Sequence, residues 1–452
     1  MSSINSDNSE WKSRWVFFFA AMAGAIGLGN IWKFPFIMAE NGGIAFIGIY
    51  FVCVLLFGVP LMLSEVVIGH IGNANPVTAM KSTAIRSKAS KHWSVVGYLS
   101  LLAGLGVFIL LTVVAGWAIS YLIEMYQNIF VDIGRSQAIE IFSEVKSNHQ
   151  GLLLSQTLFI ALIVFTLGFG VHKGLARGLN YLIPLSIVVL LVLISQTING
   201  DYFYPSLDYL FKYEKEEISF NSFLLAIKHA FYTLSIGVGS LMVFGSYVPK
   251  RRGIGVIVMS VALCDIIISS LIGLVVMPVL LFSQMDSATG YDLLFVTLPV
   301  VFGEMIDGQF FGVIFFLFVL LTALSSAMVL LEPSVAWLQQ RFSLHRWPAV
   351  ILAGFIAWVI ALLCMGGNSV VAQTGNANYE WFSWVNTVTA NVLIPAAGFL
   401  IVIYVGWVLK PELVRSEMEN SGALWLYIWY FLIRTFVPLV FLLVVMLNLL
   451  DI

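Results

Sequence analysis

About eleven runs of roughly eighteen or more mostly apolar residues divide this chain, near 15–38, 43–69, 93–126, 152–170, 179–198, 223–247, 254–283, 309–338, 347–366, 382–408 and 424–450. A helix rises about 1.5 Å per residue, so each run is long enough to cross a hydrocarbon core about 30 Å thick. Backbone inside that core must bond within the protein, and runs of this length do so as helices. The expected fold is therefore an all-α, polytopic membrane protein. The composition agrees, with 60% hydrophobic and only 10% charged residues among 452.

Charge places the ends of these spans. Fifteen Lys and Arg fall in the segments on the N-terminal side, among them Lys12, Lys81, Arg86, Arg251, Arg346 and Arg415. The opposite side has Arg135, Lys146, Lys212 and Lys215. Because cytoplasmic loops carry the excess of Lys and Arg, the N-terminus is expected inside a plasma (inner) membrane. The polar start MSSINSDNSEWKSR precedes an apolar run without a small-residue cleavage site, so no removable signal is expected. Residues 1–14 then form a cytoplasmic segment and 15–452 one membrane domain: spans 1–5 over about 15–198, 6–10 over about 223–408, and 11 over about 424–450. The long polar connections, about 199–222 and 284–308, would be extracellular.

Two spans are interrupted. Span 1 contains AGAIGLGNIWKFP, Ala23 to Pro35, and span 6 contains TLSIGVGS, Thr233 to Ser240. They lie five spans apart, which reverses orientation, so matched breaks suggest an inverted five-plus-five repeat. Unwound backbone survives at bilayer depth only where protein, ion or solute replaces its lost partners. Freed carbonyls suit a monovalent cation, and freed amides suit an anionic group. Close helix packing or a simple kink would also use such glycines. Polar residues within the spans favour an ion site, since Asn30, Thr233, Asp265, Ser269, Ser325 and Ser326 supply the oxygens a hard cation needs. Asp265 is the sharpest of them, because a carboxylate at bilayer depth costs several kcal/mol unless it is paired or functional. Glu65 is equally costly and is expected to pair with backbone amides. Cys53, Cys264 and Cys364 lie in apolar runs without ligand-type spacing. Phosphate-binding loops and nucleotide-fold motifs are absent from the sequence, which argues against an enzyme or an ATP-driven pump. The net charge of -2 and scattered basic residues argue against nucleic acid.

The stretches GAIGLGNIWKFP, ENGGIAF, GVPLMLSE, FYTLSIGVG and ALSSAMVLLEP together resemble the neurotransmitter:sodium symporter family, in its eleven-span prokaryotic type with the leucine-transporter fold. The resemblance implies helices 1 and 6 unwound at mid-membrane and sodium-driven alternating access for a small amino acid, amine or zwitterion. It places one sodium on Ala25, Asn30, Thr233 and Asp265, and a second on Ala23, Ile26, Thr322, Ser325 and Ser326. It places substrate against Gly24, Ala25, Leu28, Gly29, Val107, Leu111, Tyr232, Thr233, Ser235, Val238, Ser326 and Leu330. Asp265 stands where chloride-dependent members carry asparagine, implying no chloride requirement.

The chain departs from the family at several of these places. Leu111 stands where amino-acid carriers place a tyrosine that holds the substrate carboxylate. At the outer gate, Lys33 and Asn386 replace an arginine and an aspartate, with Tyr232 as lid and Glu380 as a further partner for Lys33. His229 replaces a glutamine. At the inner gate, Asn8 and Gln340 replace an arginine and an acid, leaving Tyr247 and Glu332. These departures keep open a non-transporting sensor or scaffold that retains the sodium sites. Substrate identity and oligomeric state are not read from the sequence.

Overall fold

A computed structural model describes residues 11, 13–198, 203–211, 218–249, 253–283, 290–365, 377–417 and 423–449. Among them all regular structure is helical. Nine helices are long and apolar enough to cross a membrane, from Ile44–Gly72 (span 2) and Lys91–Tyr126 (span 3) to Leu424–Val444 (span 11). Span 1 is a broken pair, Arg14–Ala25 and Leu28–Glu40, bent by 53°. Span 6 is a second pair, Phe220–Thr233 and Ser240–Tyr247, each half too short to cross alone. Counting the span 1 pair once gives up to ten helices or pairs long and apolar enough to cross among the described residues, and the span 6 halves occupy the place of the remaining predicted run.

Each break has a local cause. In span 1 the helix stops at Ile26, whose ψ of 88° is not helical, and Gly27 is extended before the chain re-enters a helix at Leu28. In span 6, Ser235, Gly237 and Gly239 all have positive φ, at 51°, 83° and 79°. Glycine adopts that region without a Cβ penalty. Gly237 is doubly constrained, because a Cβ there would lie 2.7 Å from the Ile394 carbonyl of span 10. Ser235 is the strained one, and its hydroxyl donates to the Gly24 carbonyl at 2.5 Å, bonding one break to the other.

Spans 3, 8 (Gly308–Phe342) and 7 (Ile254–Leu280) form the centre, with 78%, 67% and 61% of their apolar windows buried. Spans 5 (Val171–Ile198) and 11 stand at the rim, 33% buried, with most of their apolar surface left for lipid. One connection differs from its expected polar character. Within 284–308, Leu293–Glu304 is a short apolar helix, and Leu293, Leu294 and Phe295 are fully buried. It caps the bundle from the side opposite Trp11 and packs against the top of span 3 through Tyr121, whose hydroxyl donates to the Phe295 carbonyl at 2.6 Å.

Candidate functional site

The two breaks converge on one fully buried carboxylate. Asp265, on span 7, accepts from Tyr50 at 2.6 Å through Oδ2. Its Oδ1 accepts from Asn30 Nδ2 at 2.8 Å and from Thr233 Oγ1 at 2.9 Å. Thr233 Oγ1 also lies 3.0 Å from the Ala25 carbonyl and 2.7 Å from Asn30 Oδ1. Asn30 Nδ2 reaches Ser269 as well, at 2.9 Å. Three oxygens from spans 1 and 7 thus crowd the single Thr233 hydroxyl of span 6, more acceptors than its one proton can serve. Among the described residues no Lys or Arg is bonded to Asp265. Carbonyl, hydroxyl, amide and carboxylate oxygens gathered around one buried aspartate fit a hard monovalent cation.

A second oxygen cluster lies one helical turn toward the N-terminal end of span 1. Ser326 Oγ, on span 8, donates to the carbonyls of Ala23 and Ile26 at 2.9 and 3.0 Å. Those carbonyls are the ones released where span 1 unwinds. Ser325 Oγ turns back to the Thr322 carbonyl at 2.9 Å, completing a five-residue oxygen set at 5% exposure or less.

Most of the expected substrate contacts fall on the same two breaks. Gly24, Ala25, Leu28 and Gly29 come from the span 1 break, and Thr233, Ser235 and Val238 from the span 6 break. Span 3 faces them closely, since a Cβ on Gly104 would lie 2.6 Å from the Val238 carbonyl and 3.6 Å from that of Leu330. Val107 and Leu111 follow Gly104 along the same helix, so the wall they add is apolar. Glu65, fully buried on span 2, accepts from the Gly237 amide at 2.6 Å, the backbone pairing expected of it. It holds open the turn that carries Thr233 and Ser235.

Comparison with known proteins identifies this architecture. The model of the Sodium:neurotransmitter symporter family matches residues 8–131 and 136–452. The chain belongs to that family. It is 30% identical over 448 residues to the sodium-dependent transporter YhdH of Bacillus subtilis, covering 98% of each chain. A sodium-dependent transporter of Haemophilus influenzae is 26% identical over 460 residues, 99% of this chain and all of that one. Among solved structures, MhsT in complex with L-phenylalanine superposes with a TM-score of 0.84 at 29% identity, covering 97% of this chain and 99% of that one. The family is one of sodium-dependent transporters and not of enzymes.

At the expected outer gate the side chains meet in a different pairing. Lys33 does not pair with Asn386, which is exposed on span 10 without a hydrogen bond to it. Its ammonium sits 5.6 Å from the centroid of the Tyr232 ring, a cation–π contact. Tyr232 in turn donates its hydroxyl to the Ala390 carbonyl at 2.5 Å, in the π-helical turn Thr389–Leu393 of span 10. Around them, Trp117 of span 3 packs on Tyr291 and Phe382, and Tyr291 also meets Trp32 of span 1 at 5.3 Å. The side chain of Glu380, and all of Asn8, lie outside the described residues.

At the expected inner gate the structure adds a pairing that the sequence hid. Glu332, fully buried, accepts from Tyr247 at 2.8 Å and pairs with Arg346 at 2.5 Å. Arg346 also donates from Nε to the Leu167 carbonyl at the end of span 4. Trp11 closes the same end, donating its amide to the Tyr247 carbonyl at 2.8 Å and packing on Phe244. Gln340, standing where an acid was usual, bonds Asn75. Tyr50 and Arg346 thus join these clusters although they are absent from the expected set. Tyr50 gave one signal, a lone hydroxyl within the apolar run GIAFIGIYFVC, whereas Arg346 was absorbed into the charge bias of the loops. His229, by contrast, is buried between Phe34 and Tyr50, and its Nε2 has no hydrogen-bond partner.

Proposed function

We propose that this chain is a symporter that couples the entry of two sodium ions to uptake of a small amino acid or related zwitterion, without a chloride requirement. The convergence of Ala25, Asn30, Thr233 and Asp265 oxygens on one buried point carries the proposal. A permanent carboxylate there supplies the negative charge that a bound anion would otherwise bring. The second sodium takes the carbonyls of Ala23, Ile26 and Thr322 with the hydroxyls of Ser325 and Ser326. The transported molecule rests on the breaks, its polar head toward the first sodium and its body against Val107, Leu111, Val238 and Leu330. MhsT, which was solved with L-phenylalanine, supports an amino acid as the class. Leu111 offers no hydroxyl to a carboxylate, so the amides of the span 1 break and the ion must hold that group alone.

Alternation follows from which elements the ions join. The first site ties spans 1, 6 and 7, and the second ties span 1 to span 8. A ligand shifts an equilibrium only by its preference for one state, and these contacts exist only when the breaks are drawn together. Filling the sites therefore favours closure over Tyr232, after which the Glu332–Arg346–Tyr247 contacts at the other end open. With the N-terminus cytoplasmic, this second opening faces the cell interior of an inner membrane. No bond is made or broken in the transported molecule.

The non-transporting alternative drew its support from degenerate gates, and the Tyr232–Ala390 and Glu332–Arg346 contacts take over their work. The test is a thermal-shift screen of purified protein against amino acids and amines in sodium or potassium, followed by uptake in proteoliposomes. Stabilisation by a solute only in sodium, with uptake, supports the proposal. Stabilisation without uptake refutes transport.

A further inference from the structure

Arg434 stands ten residues into span 11, on an exposed face of the helix. A charge directed at hydrocarbon is costly, so such a side chain reaches for the interface or for a partner. Its Nε donates to the Gly406 carbonyl of span 10 at 2.6 Å, and its guanidinium lies 5.1 Å from the Tyr430 ring one turn earlier. Gly406 belongs to the π-helical turn Tyr404–Val408, which ends just before Lys410. Four residues of helix are about 6 Å, and the side chain leans back over Tyr430 from a backbone position ten residues into span 11. The guanidinium therefore lies closer to the ends of spans 10 and 11 than its Cα does, within reach of a lipid headgroup.

A guanidinium carries five N–H donors, and the Gly406 carbonyl occupies one of them. No acid among the described residues pairs with the others. The surroundings add positive charge: Arg434 and Arg415 both lie within electrostatic reach of the Tyr430 hydroxyl, with Glu412 the opposing acid there. Glu417, the next acid along, is engaged by His70 at 2.8 Å. Tyr427 and Trp407 flank the group, 73% and 54% exposed. Aromatic rings of this kind settle at the membrane interface. Tyr427, Tyr430 and Arg434 recur at helical spacing along one face, with Phe431 beside them, so the site combines a fixed anion fork with an apolar wall.

We propose that this edge of spans 10 and 11 is a binding site for an anionic phospholipid of the cytoplasmic leaflet. The phosphate takes the free donors of Arg434, the net positive charge with Arg415 selects an anionic headgroup, and the acyl chains lie over Phe431 and Trp407. A planar guanidinium matches phosphate oxygens in a way that a lysine does not.

Native mass spectrometry of the full chain in detergent, with equal phosphatidylglycerol and phosphatidylcholine, tests it. The wild type is expected to retain phosphatidylglycerol about fivefold over phosphatidylcholine, the worth of one arginine near an anionic surface. Arg434→Gln should lose that preference, while inorganic phosphate should neither bind nor displace the lipid. Equal retention of both lipids, a preference that survives Arg434→Gln, or displacement by phosphate alone would overturn the proposal. A photoactivatable phosphatidylglycerol provides a check that needs no variant. It should label the wild type within 407–434, and labelling confined to other faces would equally overturn the assignment.

Discussion

Replacing Asp265 by asparagine removes the only formal charge bonded into the first ion cluster while preserving its shape. Two unit charges 4 Å apart attract by about 4 kcal/mol at an effective dielectric near 20. The amide keeps a carbonyl dipole for the ion, so about 2–3 kcal/mol of that attraction is lost, a roughly 30- to 150-fold weaker sodium affinity. Sodium at 100 times its dissociation constant stabilises a folded protein by about 2.7 kcal/mol, and a hundredfold loss of affinity leaves about 0.4. The assay is thermal unfolding of wild type and Asp265→Asn across a sodium titration, with potassium as the reference ion. In potassium the variant should unfold near the wild-type temperature, because the neutral amide is cheaper to bury and still accepts from Tyr50, while its NH2 faces the Asn30 donor from which Oδ1 accepts in the wild type. In sodium the wild type should rise and the variant should barely move. Added chloride should restore part of the shift to the variant and none to the wild type. A sodium shift in Asp265→Asn equal to that of the wild type would refute the reasoning, since the carboxylate would then be a structural group only.

Ser326→Ala deletes the hydroxyl between the Ala23 and Ile26 carbonyls, and should raise the sodium concentration for half-maximal uptake about tenfold and bring its Hill coefficient toward one. Leu111→Tyr should tighten amino acids about tenfold in equilibrium binding, the worth of a hydrogen bond to a charged carboxylate, and unchanged binding would assign the pocket to another head group. Tyr232→Phe keeps the ring over Lys33 but loses the bond to Ala390, about 1 kcal/mol, so substrate should dissociate about fivefold faster. Arg346→Gln leaves Glu332 buried without its partner and should cost about 3–5 kcal/mol, whereas Arg346→Gln with Glu332→Gln should recover most of it. Denaturant or thermal unfolding of the three proteins decides that comparison.

The apolar spans, the two breaks and the oxygens that converge on them were legible because each leaves a local mark. Apolar length marks a crossing, clustered glycines mark positive φ, and an aspartate in an apolar run marks a need for compensation. Tyr50 left a fainter mark, because a hydroxyl on an otherwise apolar helix has many uses and its partner lies 215 residues away. Arg346 was hidden by its own ordinariness, a basic residue at the start of a span, until the fold carried it to the buried Glu332. The aromatic packing of Trp32, Trp117, Tyr291 and Phe382 depends on four separate elements meeting, and no spacing within any one of them announces it. The segment 284–308 was read as polar because its flanks are, although Leu293–Glu304 inside it is apolar and buried. Lys33 stood out as the wrong letter for an ion-pair gate, and its partner proved to be the ring of Tyr232.

The central claim is that sodium binding at the paired breaks drives solute across the membrane. Proteoliposomes containing the purified chain, given an inward sodium gradient and a panel of labelled amino acids, measure this directly. At least one amino acid should accumulate above its outside concentration under the sodium gradient, not under a potassium gradient, and equally well when chloride is replaced by gluconate. Uptake that ignores the sodium gradient, or binding of the same amino acids with no uptake at all, would contradict the account.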